Sequence, residues 1–317
     1  MDLELSGIHH LTAVTARARD NTRFYTQALG MRLVKKTVNQ DDVSSYHLFY
    51  ADKVGSPGTD ITFFDWPVER ERRGTRSIVR TGLRVGSEPS LAWWHERLSA
   101  EGLTAAPPAV VGGRPMLLVE DAEGQRLALV ADPDGPAGEP WDRSPVPVEH
   151  QIRGLGPIML SVPAIDKLRS LLVEVLGMRE AGQYEAPEIA AGPVQVFAMG
   201  PGGAAAELHV AIEPSKAPAM PGAGGVHHVA FRARDGAELT AWTKRLREAR
   251  VATSGEVERY YFRSLYFREP NGILFEIATD GPGFAADEPV EALGERLALP
   301  PFLEGRRAEI EAGLKPL

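Results

Sequence analysis

A succession of one strand, one amphipathic helix and two or three further strands recurs four times along the 317 residues of the chain. The second and fourth copies, residues 78–135 and 226–281, are the most alike, and residues 8–66 and 158–213 form a second pair. Self-similarity of this kind is the signature of a fold built from repeated units. The sequence therefore predicts an α+β protein of four βαβββ modules.

Apolar residues at helical spacing mark the helices of these units. In the second and fourth units they are Leu91, Trp94, Leu98, Leu239, Trp242 and Leu246. The first and third helices both end in Leu-Gly-Met-Arg, where Gly30 and Gly177 suit a left-handed C-cap. The four helices are thus predicted to lie with one face on a core.

A Pro-rich segment, residues 136–152, separates the four units into two pairs. We therefore expect an N-terminal domain at residues 1–140 and a C-terminal domain at residues 141–283, each with two modules. Residues 284–317 form a C-terminal tail with a short predicted helix near its end.

The composition excludes several classes of protein. The 43 acidic residues outnumber the 35 basic ones, which argues against a nucleic-acid groove or a polybasic membrane anchor. No apolar run approaches the roughly 20 residues of a membrane span, and the first residues lack the features of a signal peptide. Because the chain has no cysteine, any metal must be held by nitrogen and oxygen atoms. We expect a cytoplasmic protein that binds neither nucleic acid nor membrane.

Four of the eight histidines fall in two matching contexts, His9-His10 in IHHLTAV and His227-His228 in VHHVAFR. Each pair lies on the first predicted strand of its unit. Successive side chains of a strand point to opposite faces, so one histidine of each pair can face a given pocket. Two unrelated dipeptides held by local hydrogen bonds are the alternative. The other four are interpreted as ordinary surface or core histidines: His47, His95, His150 and His209.

Glu276 lies inside the apolar strand GILFEIA, where an unpaired carboxylate would be costly to bury. The second unit has Ala128 at the matching place, so the strand itself does not require an acid. One carboxylate and two imidazoles inside apolar strands suit a divalent metal, and they leave positions open as in non-haem Fe(II) oxygenases. Distance along the sequence does not establish that these side chains converge.

The repeat, with histidine on a first strand and glutamate on a last strand, resembles the vicinal oxygen chelate superfamily of glyoxalases, extradiol dioxygenases and bleomycin-binding proteins. The resemblance covers about residues 5–284 and is most specific to its hydroquinone ring-cleaving dioxygenase branch. The segments that carry it are IHHLTAVT, YHLFYADKVGSPGT, VPVEHQIRG, GVHHVAF and ERYYFRSLYFREPNGILFEIATDGPGF. It implies that the modules form two open-barrel cups.

By position, the resemblance implies that His10, His228 and Glu276 bind the metal, which would be Fe(II) with Mn(II) as the alternative. It implies catalytic or pocket roles for His9, Thr12, His227, Arg259 and Tyr266. Of these, His9 and His227 are the first histidines of the two pairs and would lie behind the ligands. Tyr266 and His227 are the candidate hydrogen-bond or proton-transfer partners of substrate. A core aromatic residue is the alternative for Tyr266, and a surface charge is the alternative for Arg259.

One consequence concerns how the units pair. His10 belongs to the first unit, whereas His228 and Glu276 belong to the fourth, so a single metal joins them only if these units share one cup. The second and third units would then form a metal-free cup. There Glu207 is interpreted as the counterpart of Glu276, with Arg80 as a candidate ion-pair partner.

The implied activity is Fe(II)-dependent cleavage of a hydroquinone or related aromatic diol, with dioxygen inserted next to the ring hydroxyl that the metal binds. The expected partners are the diol, dioxygen and further copies of the chain. Two alternatives stay open. One is a redox-neutral metalloenzyme of the glyoxalase, lyase or isomerase kind, which usually has a fourth protein ligand, and the other is a metal-free protein that binds aromatic drugs.

Overall fold

The computed structural model describes residues 3–103, 106–187 and 190–317. The strands of the first half are β1 (Ile8–Thr15), β2 (Arg32–Val38), β3 (Tyr46–Ala51), β4 (Asp60–Asp65), β5 (Ser77–Val85), β6 (Ala109–Val111), β7 (Arg114–Glu120) and β8 (Arg126–Ala131). Those of the second half are β9 (Gly154–Val162), β10 (Arg179–Tyr184), β11 (Val194–Ala198), β12 (Glu207–Ile212), β13 (Val226–Ala233), β14 (Thr253–Glu258), β15 (Phe262–Arg268) and β16 (Leu274–Pro282).

The helices are α1 (Ala18–Arg23), α2 (Glu88–Ala100), α3 (Asp166–Ser170), α4 (Gly236–Glu248), α5 (Pro301–Glu304) and α6 (Arg307–Gly313). One π-helical turn continues α1 over Phe24–Ala28, and another continues α3 over Leu171–Val175. Short 3₁₀ turns lie at Val148–His150, Ala204–Ala206, Phe284–Ala286 and Val290–Ala292. Among the described helices, none combines the length and apolar character that crossing a bilayer would require.

The strands form two eight-stranded sheets of the same construction. The first has the order β14-β15-β16-β13-β1-β4-β3-β2, and the second has the order β10-β11-β12-β9-β5-β8-β7-β6. The first sheet thus joins the first and fourth units through the antiparallel pair β1 and β13, and the second sheet joins the other two units. The predicted α+β fold is confirmed, as is the pairing of units one and four. Each sheet draws strands from both sides of residue 140, and the domain boundaries at residues 140 and 283 stay a prediction.

The two longest helices bury the faces that their spacing predicts. Trp94 of α2 and Trp242 of α4 are fully buried, as are the leucines one turn to either side. Ser87 and Asp235 begin these helices as N-caps, because each side chain accepts a hydrogen bond from a backbone N–H three residues later. The apolar faces of the helices therefore close one side of the sheets.

Gly30 and Gly177 end the first and third helices with φ of +68° and +70°, the left-handed conformation that the sequence predicts. At Gly30 a side chain would also collide with its surroundings, since a Cβ would lie 2.5 Å from Val146. Val146 belongs to the Pro-rich segment, so this close approach places that segment against the first unit.

The C-terminal tail packs on the first sheet. Phe284 contacts the rings of Phe49 and Tyr261. The buried Lys35 amine donates to Asp287 at 2.7 Å and also pairs with Glu288. The tail therefore packs against the sheet that carries the histidine pairs.

Candidate metal centre

Three side chains from three strands converge at the bottom of the first cup. His10 of β1 and His228 of β13 place their Nε2 atoms 3.2 Å and 2.9 Å from Oε2 of Glu276 on β16. All three residues are buried, and Glu276 is 0 % exposed. The register explains the convergence, because Ala230 of β13 lies opposite His10 on one side and opposite Glu276 on the other.

Hydrogen bonding does not account for this buried carboxylate. Neither oxygen of Glu276 has a hydrogen-bond partner among the described residues, and neither does Nε2 of His228, although the atoms lie close together. A buried polar group without a partner costs free energy, and a buried charge costs more. The three atoms are arranged as donors toward a common point, which fits a cation.

Hydrogen bonds behind His10 determine which of its nitrogens carries the proton. Nε2 of His9 lies 3.1 Å from the carbonyl oxygen of Thr279, which can only accept, so this nitrogen donates. Burial, aided by His10, lowers the pKa of His9 to about 3, so its ring is neutral and its Nδ1 accepts. The His10 Nδ1, at 2.8 Å, is therefore the donor, and in the neutral ring this leaves the lone pair on Nε2, the nitrogen that faces Glu276.

Two β-bulges bring the first histidine of each pair into position. Between Ile8 and His10, strand β1 has one residue more than β13, and that residue is His9. Beyond His228, strand β13 has one residue more than β1, and that residue is His227. Bulges redirect side chains next to active sites. Here they let each first histidine contact Nδ1 of its neighbour, at 2.8 Å in both pairs.

A small cavity of about 50 Å³ lies above the three side chains. Its wall combines aromatic rings with a few polar groups: His10, Thr12, Thr37, Asn39, Gln40, Asp41, His47, Phe49, Phe64, His228, Arg259, Tyr261, Phe262 and Tyr266. The structure thus brings Thr12, Arg259 and Tyr266 to the cavity. His9 and His227 do not line it, and His227 opens into a separate cavity beside Trp66. His227 therefore contacts His228 from behind and does not face the cavity that the three side chains share.

Arg259 is held across the mouth of the cavity. Its two terminal nitrogens lie 2.9 Å and 3.1 Å from the carboxylate of Asp41, and Gln40 donates to its carbonyl oxygen at 2.7 Å. The guanidinium also lies 5.5 Å from the centre of the Tyr266 ring. The side chain is 23 % exposed, so the alternative of a free surface charge is wrong. The arrangement ties residues 40 and 41 to the β14–β15 turn.

Tyr266 lies directly opposite Glu276 in the β15–β16 pairing. Its ring is perpendicular to that of His228, with centroids 5.8 Å apart. Burial and the carboxylate of Glu276 raise the pKa of the phenol, so the hydroxyl keeps its proton at neutral pH. Tyr266 therefore presents a proton donor to the cavity.

The sequence prediction missed His47, which also lines the cavity. Its Nε2 lies 2.9 Å from Oγ1 of Thr62, and that hydroxyl donates to Oγ1 of Thr12 at 2.9 Å. Burial lowers the pKa of His47 well below its usual range, so the ring is neutral. Strand alternation between Tyr46 and Phe49 places His47 on one face of β3, but only the sheet shows that this face is the inside of the cup.

The second cup differs from its prediction. Both oxygens of Glu207 accept from the guanidinium of Arg114, and the contact at Oε1 is 2.7 Å long. Oε2 of Glu207 also lies 3.0 Å from Nε2 of His209. It does not pair with Arg80, which donates to a backbone carbonyl. His209 lies opposite Met159 as Glu276 lies opposite Ala230, so His209 is the counterpart by register. Glu207 lies two residues before the position that corresponds to Glu276, so the match of the two glutamates in the sequence was wrong by two residues.

The comparisons with known proteins agree with this architecture. The profile of the Glyoxalase/Bleomycin resistance protein/Dioxygenase superfamily matches residues 7–137 and 154–277. The chain belongs to this superfamily. It is 47 % identical to a candidate ring-cleaving dioxygenase of Bacillus subtilis strain 168, MhqA, over 99 % of this chain and 100 % of that protein. It is 32 % identical to the chlorohydroquinone/hydroquinone 1,2-dioxygenase of Sphingobium indicum, over 96 % and 95 % of the two chains.

Solved structures give the same assignment. A crystal structure of a candidate dioxygenase from Bacillus subtilis superposes with a TM-score of 0.91 at 34 % identity, covering 99 % of this chain and 98 % of the other. Glyoxalase I from Zea mays shares the fold, with a TM-score of 0.64 at 15 % identity and coverage of 86 % and 92 %. The resemblance to this superfamily and to its ring-cleaving dioxygenases is confirmed.

Proposed function

We propose that the chain is a non-haem Fe(II) dioxygenase that cleaves the ring of hydroquinones or related aromatic diols. The observation that carries the proposal is the buried carboxylate of Glu276, which faces two imidazole nitrogens and has no hydrogen-bond donor in the part of the chain that the structure describes. The names of the relatives, ring-cleaving dioxygenase and hydroquinone 1,2-dioxygenase, support the reaction and the substrate class.

His10, His228 and Glu276 would hold the metal, Fe(II) or as the alternative Mn(II), through one atom each. Two nitrogens and one carboxylate oxygen are the donor set of non-haem Fe(II) oxygenases, which leaves further positions open. The protonation pattern fits, because the hydrogen bond to His9 places the His10 proton on Nδ1 and leaves Nε2 to bind through its lone pair. When bound, the metal would supply Lewis acidity and a route for electrons from the ring to dioxygen.

The remaining side chains suit an aromatic substrate. Phe49, Phe64 and Phe262 supply apolar wall around the ligands. Their rings exclude water and pack against a flat ring. Tyr266 keeps its phenolic proton, so it can donate a hydrogen bond or a proton to an oxygen that becomes negative.

The geometry favours this function over a redox-neutral metalloenzyme of the same fold. Such sites usually have a fourth protein ligand. The position in the first unit that corresponds to Glu276 is Thr62, since Thr62 lies opposite Thr12 as Glu276 lies opposite Ala230. Its hydroxyl is already bonded to Thr12 and His47. A metal-free drug-binding protein would leave the charge of Glu276 without a partner.

The decisive experiment is oxygen uptake by anaerobically purified protein loaded with Fe(II), on addition of a panel of hydroquinones and catechols. We expect uptake of one dioxygen per ring with loss of the aromatic absorbance, and no uptake by the Zn-loaded control. Absence of uptake with every diol, despite one iron per chain at this site, would contradict the proposal in favour of redox-neutral chemistry.

The cytoplasmic location and the homo-oligomer stay predictions, the second to be tested by light scattering.

A further inference from the structure

We propose, on the basis of the function proposed above, that His47 and Thr37 bind the second hydroxyl of a para-diol and so make the site selective for hydroquinones over catechols. The two side chains lie directly opposite each other on β3 and β2, and both line the cavity. Side chains in this relation have Cβ atoms about 4.5–5.5 Å apart, which lets both contact one hydroxyl.

The hydrogen-bond chain behind His47 leaves an acceptor in the cavity. The hydroxyl of Thr62 donates its proton to Thr12, so it must accept from Nε2 of His47. The proton of this neutral ring is therefore on Nε2, and Nδ1 carries a lone pair. Within the described residues Nδ1 has no hydrogen-bond partner. The rings of Phe49 and Phe64, with centroids 4.0 Å and 4.5 Å from that of His47, hold the imidazole in this orientation.

Thr37 adds the complementary group. Its hydroxyl is buried and has no hydrogen-bond partner among the described residues. A buried hydroxyl in this state costs free energy, which a ligand would recover by satisfying it. A phenolic hydroxyl both donates and accepts, so it can donate to Nδ1 of His47 while accepting from Thr37.

The position of this pair in the sheet decides which diol benefits. β1 carries His10, and β4, β3 and β2 follow it in order, so His47 and Thr37 lie on the side of β1 away from His228 and Glu276. A diol with adjacent hydroxyls presents both to the three ligand side chains. In a para-diol the second hydroxyl lies across the ring, and it points away from the ligands toward His47 and Thr37.

The test measures equilibrium binding rather than turnover. Zn-loaded, redox-inert protein is titrated anaerobically with hydroquinone, 4-methoxyphenol, phenol and catechol, for wild type, His47→Phe and Thr37→Val. Phenylalanine keeps a ring between Phe49 and Phe64, and valine matches the shape of threonine. Thermal unfolding and zinc content show that each variant is folded and loaded.

We expect wild type to bind hydroquinone about ten-fold more tightly than phenol or 4-methoxyphenol, because only hydroquinone donates to Nδ1. His47→Phe should remove that advantage, and Thr37→Val should reduce it a few-fold, while the affinity for catechol stays unchanged in both. Equal affinity of wild type for hydroquinone and phenol, or an unchanged hydroquinone affinity in folded His47→Phe and Thr37→Val, would overturn this inference and leave the proposed function standing. Failure of wild type to bind any of the phenols would overturn both.

Discussion

The two cups have the same strand order but treat their central positions in opposite ways. At four positions that correspond by register, the first cup has His10, Thr62, His228 and Glu276, and the second has Arg80, Ala128, Pro157 and His209. The fold is thus built equally well with or without ligand side chains at these places. The fold therefore does not require the donors of the first cup, which is what we expect if they bind a metal.

The buried carboxylates show the difference most directly. Glu207 of the second cup is neutralised by Arg114 and contacts Nε2 of His209, and His209 in turn contacts the hydroxyl of Tyr184 at 2.9 Å. Ala186 and Ala190 pack in apolar clusters with buried side chains of that cup. Glu276 has neither a cation nor a donor among the described residues. A carboxylate that its own network satisfies is structural, whereas one left unsatisfied indicates a ligand.

The largest expected effect, on metal affinity, comes from replacing the buried glutamate of the first cup with glutamine. Glu276→Gln should lower metal affinity at least about a hundred-fold, since supporting groups alone account for ten- to a hundred-fold. It should also stabilise the metal-free protein, because it removes an unpaired buried charge. Titration with Fe(II) and chemical denaturation measure both effects.

Glu207→Gln is the matched control. It should leave metal affinity unchanged and lower the free energy of unfolding by about 1–3 kcal/mol, because Arg114 loses its partner. If Glu276→Gln instead destabilised the metal-free protein as Glu207→Gln does, the contrast between the cups would be wrong.

The next effect tests the proton assignment behind the ligands. His9→Phe removes the acceptor of the His10 Nδ1 proton and should lower metal affinity about ten- to a hundred-fold. His209→Phe in the second cup should not change it. Equal loss in both variants, measured by competition with a chelator, would point to a general loss of stability.

Tyr266→Phe should lower kcat about a hundred-fold with iron content unchanged, because it removes a proton donor and not a ligand. Tyr184→Phe removes a phenol of the second cup, one that contacts His209, and should leave kcat unchanged. Steady-state oxygen uptake together with iron analysis measures this contrast. Loss of iron from Tyr266→Phe would show that the tyrosine supports the ligands.

The smallest effect concerns the mouth of the first cup. Asp41→Asn weakens an ion pair with Arg259 whose carboxylate is 71 % exposed, and pairs in water contribute only about 0–1 kcal/mol. We expect KM to change by less than about five-fold at constant kcat, with the largest difference at low ionic strength. Glu309→Gln, in a surface pair with Arg306, should change neither constant.

Much of this molecule was predictable because local chemistry determines it. The spacing of apolar residues predicted the buried faces of α2 and α4. The conformational freedom of glycine predicted the helix ends at Gly30 and Gly177. The cost of burying the carboxylate of Glu276 predicted that a metal binds it. Since the three candidate ligands belong to the first and fourth units, the sequence also predicted that these units share one sheet.

Only the tertiary structure decided how the supporting side chains are arranged. The bulges at His9 and His227 arise from the register between β1 and β13, strands more than 200 residues apart along the chain. Arg114 reaches Glu207 across 93 residues, and His47 faces the cavity because β3 pairs with β4. Such contacts depend on how distant strands align, and a shift of one residue reverses every side chain. The sequence therefore determined the repeated units and the candidate ligands, whereas strand register decided what surrounds them.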